Sequence, residues 1–380
     1  MKLIADLHIH SYLSRACSPQ LKPEFLYQWC QLKGITVLST GDFTHPRWFA
    51  ELKEKLSPAE PGLFKLKKSL AQEMDKKVPA SCRAPVRFLL GVEISCIYKK
   101  GGKVRKAHHL VFAPSFEAAT RINARLDAIG NIRSDGRPIL GLDSKDLLAI
   151  VLESCDEAVL IPAHAWTPHF AVFGSQSGFD SLKECFEDLT PHIFAIETGL
   201  SSDPPMNWRL SALDKITLIS NSDAHSLEKL AREANVLDTV LSYRSIFDAF
   251  RNRDSSRFLK TLEFFPEEGK YHADGHRKCQ SQLLPEETLR RHGLCPVCKK
   301  PVTVGVLHRV EKLADRKEGR KPRGAADFEN LVPLKEVIGQ TLRVGAASVK
   351  VDAQYHSLLS LFGSELHILR EKDFIADKKI

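Results

Sequence analysis

The stretch LIADLHIH, residues 3–10, carries the two features that decide the fold and the chemistry of this chain. Its apolar beginning is typical of a short, buried β-strand. The run ends in Asp6, His8 and His10, and the two histidines point to the same side of an extended chain because they are two residues apart. Imidazole nitrogens suit zinc, iron or manganese. The end of this strand is therefore a candidate metal site.

Strand-like and helix-like patterns alternate through the first two thirds of the chain. Apolar runs such as residues 86–95 are followed by amphipathic stretches, and residues 23–33 and 143–154 have the periodicity of helices. Pro23 suits the first turn of a helix and Gly34 its end. Repeated alternation of this kind predicts an α/β domain built around a parallel sheet or barrel.

Further residues of metal-binding type fall at or near the ends of the predicted strands. In parallel α/β folds these ends meet on one face, where active sites collect. Several histidines with shared carboxylates can hold two or three ions, which activate water for phosphate ester hydrolysis. One His-x-His pair is equally well explained as a polar turn, but residues from six strands favour a metal centre. They are His8, His10, Asp42, Glu93, His109, His164, Asp223 and His225.

Composition and charge limit the classes of protein to be considered. The chain has 380 residues with 43% hydrophobic content and a formal net charge of +8, a mild bias toward polyanionic partners. No run approaches the roughly 18 apolar residues of a membrane span. The beginning lacks the features of an export signal, which predicts a cytoplasmic protein without a membrane partner. Six of the nine cysteines are scattered, a poor disulfide framework.

The remaining three cysteines lie close together and predict a structural zinc site. The motifs HRKC and CPVC, separated by fifteen residues, have the spacing of a zinc ribbon, although the first contains His in place of Cys. His272 and His292 are rival ligands, and three unrelated buried thiols are the alternative. The predicted ligands are His276, Cys279, Cys295 and Cys298.

The alternation of strand-like and helix-like segments stops near residue 265, and the composition changes again after the ribbon. We predict a barrel over residues 1–262, the ribbon over 263–308, and a mainly helical, basic, DNA-binding domain over 309–380. Residues 309–323 contain seven basic and three acidic residues, which favours contact with a phosphate backbone over a merely solvated helix face.

A second segment of this tail has a superficial likeness to a partner-binding peptide. QYHSLLSLFGSE, residues 354–365, looks like a sliding-clamp-binding motif. Its apolar residues at core spacing favour an ordinary amphipathic helix instead. They are Leu358, Leu359, Leu361 and Phe362.

Five short motifs, in this order, resemble the polymerase and histidinol phosphatase (PHP) domain: DLHIHS, GVEIS, HHLVF, PAHAW and SNSDAH. The resemblance implies a distorted (β/α)7 barrel that hydrolyses phosphate esters with up to three ions. By position it implies four ligands of the first ion, with Glu93 as a bridge to a second ion on His109 and His164. His225 resembles a ligand of the third ion. The first-ion ligands are His8, His10, Glu93 and Asp223.

The chain departs from this pattern at two places. TGDF puts Asp42 where the family has His, and Arg15 or Cys17 lies where it has a further ligand. A third ion would therefore rest on Asp42 and His225 alone. His108 competes with its neighbour as ligand of the second ion. His109 is preferred, because a ligand followed by LVF keeps the usual strand alternation.

Longer segments resemble the endonuclease Q family over nearly the whole length. They include DLHIHSYLSRACSP, STGDFTHPRW, PAHAWTPHFAVFGSQSGFDSLKECF, ETGLSSDPPMNWRLSALD and GKYHADGHRKC. This resemblance implies a PHP barrel, a zinc ribbon and a C-terminal helical domain. It also implies a DNA repair nuclease that cuts 5′ of deaminated bases (uracil, hypoxanthine, xanthine) and of abasic sites in DNA.

A nuclease that finds a damaged base must take it out of the stack, which requires a pocket and side chains to line it. Residues 164–179 form an unusually long loop, which favours function, and residues 198–208 form a second. We predict Arg15 to meet a DNA phosphate. The predicted DNA- and lesion-binding residues are Arg15, Trp166, His169, Phe170, Ser175, Ser177, Ser201 and Ser202, with a small core beneath the loop as the alternative for the aromatic residues.

These observations predict a metal-dependent endonuclease that acts on double- or single-stranded DNA and contains a cluster of two or three zinc ions, with manganese or magnesium as alternatives. Glu93, Asp223 and His225 are its predicted catalytic residues. A PHP phosphatase of a small phosphate ester would explain the metals but not the ribbon or the tail. A non-catalytic DNA-binding adaptor is the other alternative.

Overall fold

Residues 3–6 of the opening apolar run lie in a central strand, as the sequence predicts. The structure, a computed structural model, describes residues 1–370. Its strands are β1 Lys2–Asp6, β2 Val37–Ser39, β3 Leu56–Pro58, β4 Phe64–Leu66, β5 Arg87–Lys100, β6 Lys103–Ala113, β7 Ile139–Leu140, β8 Val159–Pro162, β9 Ala195–Glu197, β10 Thr217–Ile219, β11 Ala234–Asp238, β12 Phe258–Glu263, β13 Asp274–His276, β14 Ser281–Leu283 and β15 Asp327–Asn330.

The helices fall mainly between these strands. Two of the predicted helices, over residues 23–33 and 143–154, are confirmed as the first and the fifth. The α-helices are α1 Pro23–Lys33, α2 Pro46–Lys55, α3 Lys68–Asp75, α4 Phe116–Asp127, α5 Ser144–Ser154, α6 Leu182–Phe186, α7 Pro204–Asn207, α8 Tyr243–Arg251, α9 Pro285–Arg290, α10 Val306–Leu313, α11 Leu334–Leu342, α12 Val349–Phe362 and α13 Glu365–Arg370.

The helix boundaries follow from local sequence. α1 has Pro23 in its first turn and ends at Gly34, whose φ of 89° is easily reached only without a side chain. α5 begins after Asp143, whose carboxylate accepts the backbone N–H of Lys145. Ser115 caps α4 in the same way, with its hydroxyl accepting the N–H of Ala118.

The central sheet has eleven strands in both directions. Its main path is β15-β12-β11-β1-β2-β5-β4-β3, and β6 and β7 also pair with β5, while β8 pairs with β6. β1, β2 and β5 are parallel, whereas β11 is antiparallel to β1. β5 and β6 form a long antiparallel hairpin. The sheet is therefore mixed rather than parallel.

The β5–β6 hairpin is one of the antiparallel pairs that make the sheet mixed. β5 and β6 are joined by Gly101 and Gly102, with φ of 60° and 73°. Two consecutive residues with positive φ make the tight turn that connects antiparallel neighbours directly, without a crossover helix. The hairpin places Glu93 and the two adjacent histidines of β6 within one continuous strand pair.

The ribbon and the C-terminal segment pack against the α/β core. β13 and β14 form a small antiparallel hairpin. β15 joins the central sheet beside β12, and Val306 and Val310 of α10 belong to the main apolar core. α11 and α12 share a second cluster with Leu32 and Val78. Residues 309–370 thus pack against the α/β part both through the main core and through this second cluster, and residues 371–380 of the predicted domain lie outside the described residues.

The segment that resembles a clamp-binding peptide forms part of α12. Tyr355 and Leu359 are buried, and the Tyr355 hydroxyl donates to Glu365 at 2.8 Å. The amphipathic helix is confirmed, but of its four predicted core residues Leu361 is 69% exposed and does not pack. A sliding-clamp partner has no support. Across residues 1–370, no helix combines the length and the apolar character needed to span a membrane.

Candidate metal centre

Two histidines and two carboxylates bring four metal-ligand atoms together after the end of β1. His8 Nε2 lies 3.6 Å from Glu93 Oε2 and 3.5 Å from Asp223 Oδ1. His10 Nε2 lies 3.4 Å and 3.1 Å from the same two oxygens. Ligand atoms placed tetrahedrally about one ion at roughly 2.0–2.1 Å are separated by about 3.3 Å. The group therefore fits one metal ion.

The chemistry of this group also fits a metal. His8 is 1% exposed, and its Nε2 has no hydrogen-bond partner within the described residues. A buried polar nitrogen without a partner costs about 1–3 kcal/mol unless something satisfies it. An ion beside Glu93 and Asp223 would do so, and nitrogen with carboxylate oxygen is a donor set for zinc, manganese or iron.

The charges of the group are strongly coupled. Burial by itself would lower the pKa of His8, but Glu197, Asp223 and Glu93 together raise it well above its ordinary value. Burial would likewise lower the pKa of His10, but Asp223, Asp42 and Glu93 raise it well above its ordinary value. Burial raises the pKa of Asp223, but the two histidines outweigh it and leave that pKa well below its ordinary value. Protons therefore occupy the imidazoles in the absence of an ion, and metal binding must release them.

Glu93 joins this group to a second one. Its Oε1 lies 2.7 Å from His108 Nδ1 and 2.9 Å from His164 Nε2, and those two nitrogens are 3.3 Å apart. Burial lowers the pKa of His108 to about 4, so this imidazole is neutral at pH 7 and able to coordinate a metal. One carboxylate thus faces two ligand groups, an arrangement that suits a two-ion centre.

The preference for His109 is corrected by the strand register. In the β5–β6 hairpin, Glu93 is opposite Leu110 and Ser95 is opposite His108. Opposite residues of an antiparallel pair share a face, and alternate residues along a strand do too. His108 is therefore on the Glu93 face and His109 on the other, where its Nε2 and the Ser144 hydroxyl are 2.8 Å apart.

Two buried carboxylates orient the histidines from behind. His8 Nδ1–H donates to Glu197 at 3.0 Å, and His10 Nδ1–H donates to Asp42 at 3.3 Å. Each contact fixes the tautomer that leaves Nε2 free to coordinate a metal, a common arrangement behind metal-binding histidines. The sequence analysis missed Glu197 as a site residue, although its position at the end of β9 was a usable signal.

Asp42 is therefore corrected from metal ligand to orienting residue. Its Oδ2 accepts the Ser11 backbone N–H and the hydroxyls of Ser11 and Ser14 at 2.6–2.8 Å, while Oδ1 faces His10. Both oxygens are already engaged inside the protein. His225 lies nearby, with its Nδ1–H donating to the Asp223 backbone carbonyl at 2.9 Å, but it belongs to neither ligand group. These residues do not assemble the third ion site that the PHP resemblance implies.

Two residues of the centre have unusual backbone geometry. His164 and Asp223 have φ of 29° and 45°, in the left-handed region that non-glycine residues seldom adopt. Conformations of this kind cluster at active sites, where the surrounding structure holds them. Gly199 fits closely against His164, since an added Cβ would come within 2.6 Å of the His164 Cβ.

An arginine that the sequence analysis missed also reaches the centre. Arg137 Nη1 donates to Glu93 Oε2 at 3.0 Å, from the loop between α4 and β7. This contact gives Glu93, whose pKa lies well below its ordinary value, a cationic neighbour in addition to its histidines. The sequence offered no signal, because a polar loop carries nothing that links it to residue 93.

The loop over residues 164–179 contains both packed and accessible side chains. Trp166 is buried and its indole N–H donates to Asn207, so it belongs to the small core that was the alternative interpretation. Ser175 and Ser177 donate to the carbonyls of Val304 and Lys106. These three residues hold the loop in place, which corrects their predicted role in lesion binding.

His169 and Phe170 of the same loop stay candidates for contact with a lesion. His169 is exposed, and Phe170 is half-buried with its ring 4.7 Å from the His108 ring. Lys106 lies over the Phe170 ring at 5.3 Å. Phe170 is therefore next to the second ligand group, between an imidazole and a cation.

The second loop borders a cavity beside the centre. A cavity of about 440 Å³ is lined by residues that include His164, Asp223, Ser201, Phe264 and Tyr271. Ser201 is among these lining residues, and its contact with a lesion stays a prediction. Ser202 is not among them, because it is buried and its hydroxyl donates to the Thr198 carbonyl at 2.8 Å. Arg15 is exposed and lies outside both ligand groups, so its contact with phosphate stays a prediction.

The structure brings the four predicted ribbon residues together. One ligand atom from each lies within 4.8 Å of the others. The Ser281 hydroxyl lowers the pKa of Cys295 to about 6, which favours the metal-binding thiolate. Of the rival ligands, His272 faces the Ser201 carbonyl at 3.2 Å. The residues are His276, Cys279, Cys295 and Cys298.

The basic run is only partly available to a partner. Arg309 is buried, and Arg316 donates to Asp214 and to the Trp208 carbonyl. The exposed cations of the run are Lys312, Lys317, Arg320, Lys321 and Arg323.

No protein-family model matches the chain. An uncharacterized protein of Methanocaldococcus jannaschii is 28% identical over 222 residues, which are 57% of this chain but 27% of that longer protein. The uncharacterized protein YqxK of Bacillus subtilis is 28% identical over 390 residues, covering 97% of this chain and 89% of YqxK.

Two crystal structures match nearly the whole chain. The lesion-specific endonuclease PfuEndoQ from Pyrococcus furiosus has a TM-score of 0.84 and 28% identity, covering 99% of this chain and 87% of PfuEndoQ. The complex of endonuclease Q with a 27-mer duplex substrate bearing an abasic lesion has a TM-score of 0.85 and 28% identity. This match covers 99% of this chain and 88% of that endonuclease Q chain. The chain is therefore similar to endonuclease Q over nearly its whole length, which supports an endonuclease Q identity. The predicted α/β fold class is confirmed by the same matches.

Proposed function

We propose that this protein is a DNA repair enzyme that hydrolyses the phosphodiester bond on the 5′ side of a lesion. The similarity to endonuclease Q supports a nuclease with DNA as its partner. Abasic sites and deaminated bases (uracil, hypoxanthine and xanthine) are the proposed lesions. The observation that carries the proposal is Glu93, whose two oxygens face two separate groups of metal ligands.

Zinc, or manganese or magnesium, is the proposed metal in this centre, and zinc in the ribbon. Ions held by His8, His10, Glu93 and Asp223, and by Glu93, His108 and His164, would supply Lewis acidity that activates water and neutralises phosphate charge. Glu197 and Asp42 hold the imidazoles of His8 and His10 so that their Nε2 atoms face the metal position. Catalytic roles for Glu93 and Asp223 follow from their place in these groups, and His225 flanks them.

The cavity beside the centre is the proposed place for the extruded nucleotide. Ser201 offers a hydroxyl at its wall, and Phe264 and Tyr271 supply aromatic surface. A flipped base is held by stacking and by polar contacts, and extrusion costs least where base pairing is already weak or absent. Abasic and deaminated positions meet that condition.

A basic cleft extends this surface toward the ribbon. A neighbouring cavity of about 480 Å³ lies between the loop that carries His169 and the ribbon, and Lys270 and Arg277 line it. Cations along a groove suit the phosphate backbone. Together with the exposed cations after α10, they form the proposed path for DNA. A cytoplasmic location and association with the nucleoid are part of this proposal.

The test uses labelled duplexes with an abasic site, uracil, inosine or no lesion, together with a small phosphomonoester. The chain is first freed of metal and then given Zn²⁺, Mn²⁺ or Mg²⁺. We expect nicks on the 5′ side of the lesion only. Asp223→Asn, which keeps the shape of the side chain, should abolish them.

The two alternatives predict different results. Turnover of the monoester with intact DNA would favour the phosphatase. Salt-dependent binding of DNA without any nick would favour the adaptor. The adaptor is the weaker alternative, because both ligand groups on Glu93 are complete.

A further inference from the structure

The loop that carries Arg137 is fixed tightly against the metal centre. Gly136 N–H donates to the Leu13 carbonyl at 3.1 Å, and a Cβ at this position would overlap the Asp42 carboxylate and the Ser14 hydroxyl. Only glycine fits there. The Pro138 carbonyl accepts the Ser95 backbone N–H at 2.9 Å, which ties the other end of the loop to β5. Arg137 is thus held from both sides.

The guanidinium approaches the carboxylate oxygen that also faces the first ligand group. Arg137 Nη1 is 3.0 Å from Glu93 Oε2, the oxygen that lies 3.6 Å and 3.4 Å from the Nε2 atoms of His8 and His10. The side chain is 27% exposed, so it is embedded in the site but reaches its surface. A substrate phosphate at the centre would meet it.

Most of the hydrogen-bonding capacity of this guanidinium is unused. An arginine side chain has five N–H donors. Within residues 1–370, the guanidinium of Arg137 makes one hydrogen bond, to Glu93. The remaining donors form the planar fork that binds phosphate oxygens in pairs. A guanidinium built into a fixed loop and left with free donors is suited to an anionic ligand.

The residues expected to hold a third ion do not form a third ligand group. Asp42, one of the two residues on which that ion would rest, has both oxygens engaged by Ser11, Ser14 and His10. Positively charged side chains, like metal ions, can stabilise the charge that develops on a phosphate during its transfer. A fixed cation next to Glu93 would do so without a further metal.

We propose that Arg137 is a catalytic residue that binds the non-bridging oxygens of the scissile phosphate and takes the place of a third ion. The proposal rests on the proposed function. In the reaction, the water oxygen bonds to phosphorus and the bond from phosphorus to the leaving oxygen breaks. One proton of the water passes to the leaving oxygen, and the other stays on the product phosphate. Arg137 donates hydrogen bonds as negative charge develops on the phosphate.

The experiment compares Arg137→Gln, Arg137→Lys and Arg137→Ala with a matched control, Arg133→Gln. Arg133 is in the same loop but is largely exposed and pairs with Asp127 on the protein surface. The measurements are bound metal per chain, the affinity for an abasic duplex in Ca²⁺, and kcat and KM for nicking that duplex in the activating metal. Methylguanidinium is added to Arg137→Ala to replace the missing group.

We expect Arg137→Gln to keep its metal content while kcat falls about 100- to 1,000-fold, as for loss of one donor to a developing oxyanion. Affinity in Ca²⁺ should fall less than kcat. Methylguanidinium should restore part of the activity of Arg137→Ala, and Arg137→Lys should be intermediate. Arg133→Gln should match the wild-type protein.

Two outcomes would overturn the proposal while leaving the proposed function in place. One is a kcat within about threefold of wild type in Arg137→Gln, because loss of a donor to the transition state costs far more. The other is loss of bound metal in that variant, which would make Arg137 a support of the centre. If the wild-type protein itself does not nick abasic DNA, both proposals are wrong.

Discussion

At the scale of single residues, the centre depends on carboxylates that do not belong to the ligand groups. Glu197 accepts from His8 Nδ1–H, from the His164 backbone N–H at 2.7 Å and from the Asn221 amide at 2.9 Å. It therefore fixes one histidine of each ligand group. Three donors converge on this side chain, a demand that only a carboxylate meets in full.

We expect Glu197→Gln to weaken metal binding at the centre about 10- to 100-fold, the usual effect of removing such a partner. The amide of Gln would place an N–H against one of the three donors and turn His8 out of position. Competition with a chelator measures the affinity. Glu187→Gln, on the surface beside Lys100 and Lys145, is the control. Equal affinity in both variants would contradict this role for Glu197.

What the sequence could predict at this scale depended on local pattern. His8, His10, His164 and Asp223 follow short apolar strands, and that position is readable without a structure. The choice between His108 and its neighbour required the β5–β6 register, which strand periodicity alone does not give. The contacts of Glu197 and Arg137 join residues 189 and 44 positions apart, so no local pattern could reveal them.

At the scale of elements, α10 connects the ribbon to the loop beside the metal centre. Asp274 of β13 accepts the Gly305 N–H and faces His308 Nδ1, each at 2.6 Å. The next residue, Arg309, donates to the Phe173 carbonyl at 2.8 Å and to Asp180 at 2.6 Å. The ribbon therefore supports the loop that contains Phe170.

We expect loss of the ribbon metal to loosen that loop, because a structural metal site contributes directly to the folding of its unit. Cys298→Ser should speed hydrogen exchange of the backbone amides in residues 170–180 while the metal content of the Glu93 centre stays unchanged. Arg291→Gln, a surface change within the ribbon, is the control. Exchange rates that match the control would show that the ribbon and the loop are independent.

The ribbon could be predicted from the sequence, but its packing against the α/β core could not. Cys-x2-Cys spacing is set by the geometry of one metal site, so it is visible in sequence. The docking of α10 depends on Val306 and Val310, which are ordinary apolar residues of a short helix. Nothing in their spacing distinguishes packing on the α/β core from packing on the ribbon.

At the scale of the whole molecule, two buried glutamates lie at the ends of neighbouring strands, next to Phe264 at the wall of the cavity beside the metal centre. Glu263 ends β12 and Glu233 precedes β11, and they lie next to each other because Ala234 pairs with Leu262. Glu263 Oε2 accepts hydroxyls of Thr198 and Ser220 at 3.2 Å and 3.0 Å. The other oxygen of Glu263 has no partner in the described residues.

This pair should make the stability of the protein fall in mild alkali. Burial, the largest influence, raises the pKa of Glu263 from its ordinary 4.5 to about 8, and the pKa of Glu233 is raised as well. Because the folded protein holds these protons more tightly than the unfolded chain, the resulting stability is present in full below about pH 4.5. It is lost as the pH rises through about 8. We expect Glu263→Gln, which is neutral at every pH, to remove much of this loss.

The measurement is the thermal unfolding midpoint of the metal-loaded protein between pH 5 and pH 9. Glu263→Gln should match wild type near pH 5 and exceed it by a few degrees at pH 9, since about 1 kcal/mol moves the midpoint of a large domain by roughly 2–4 °C. Glu286→Gln, an exposed change, should follow wild type throughout. A constant difference between Glu263→Gln and wild type at all pH values would instead mean that Glu263 contributes through its hydrogen bonds to Thr198 and Ser220. The shape of the pH profile therefore separates titration of the buried pair from simple packing beside the cavity.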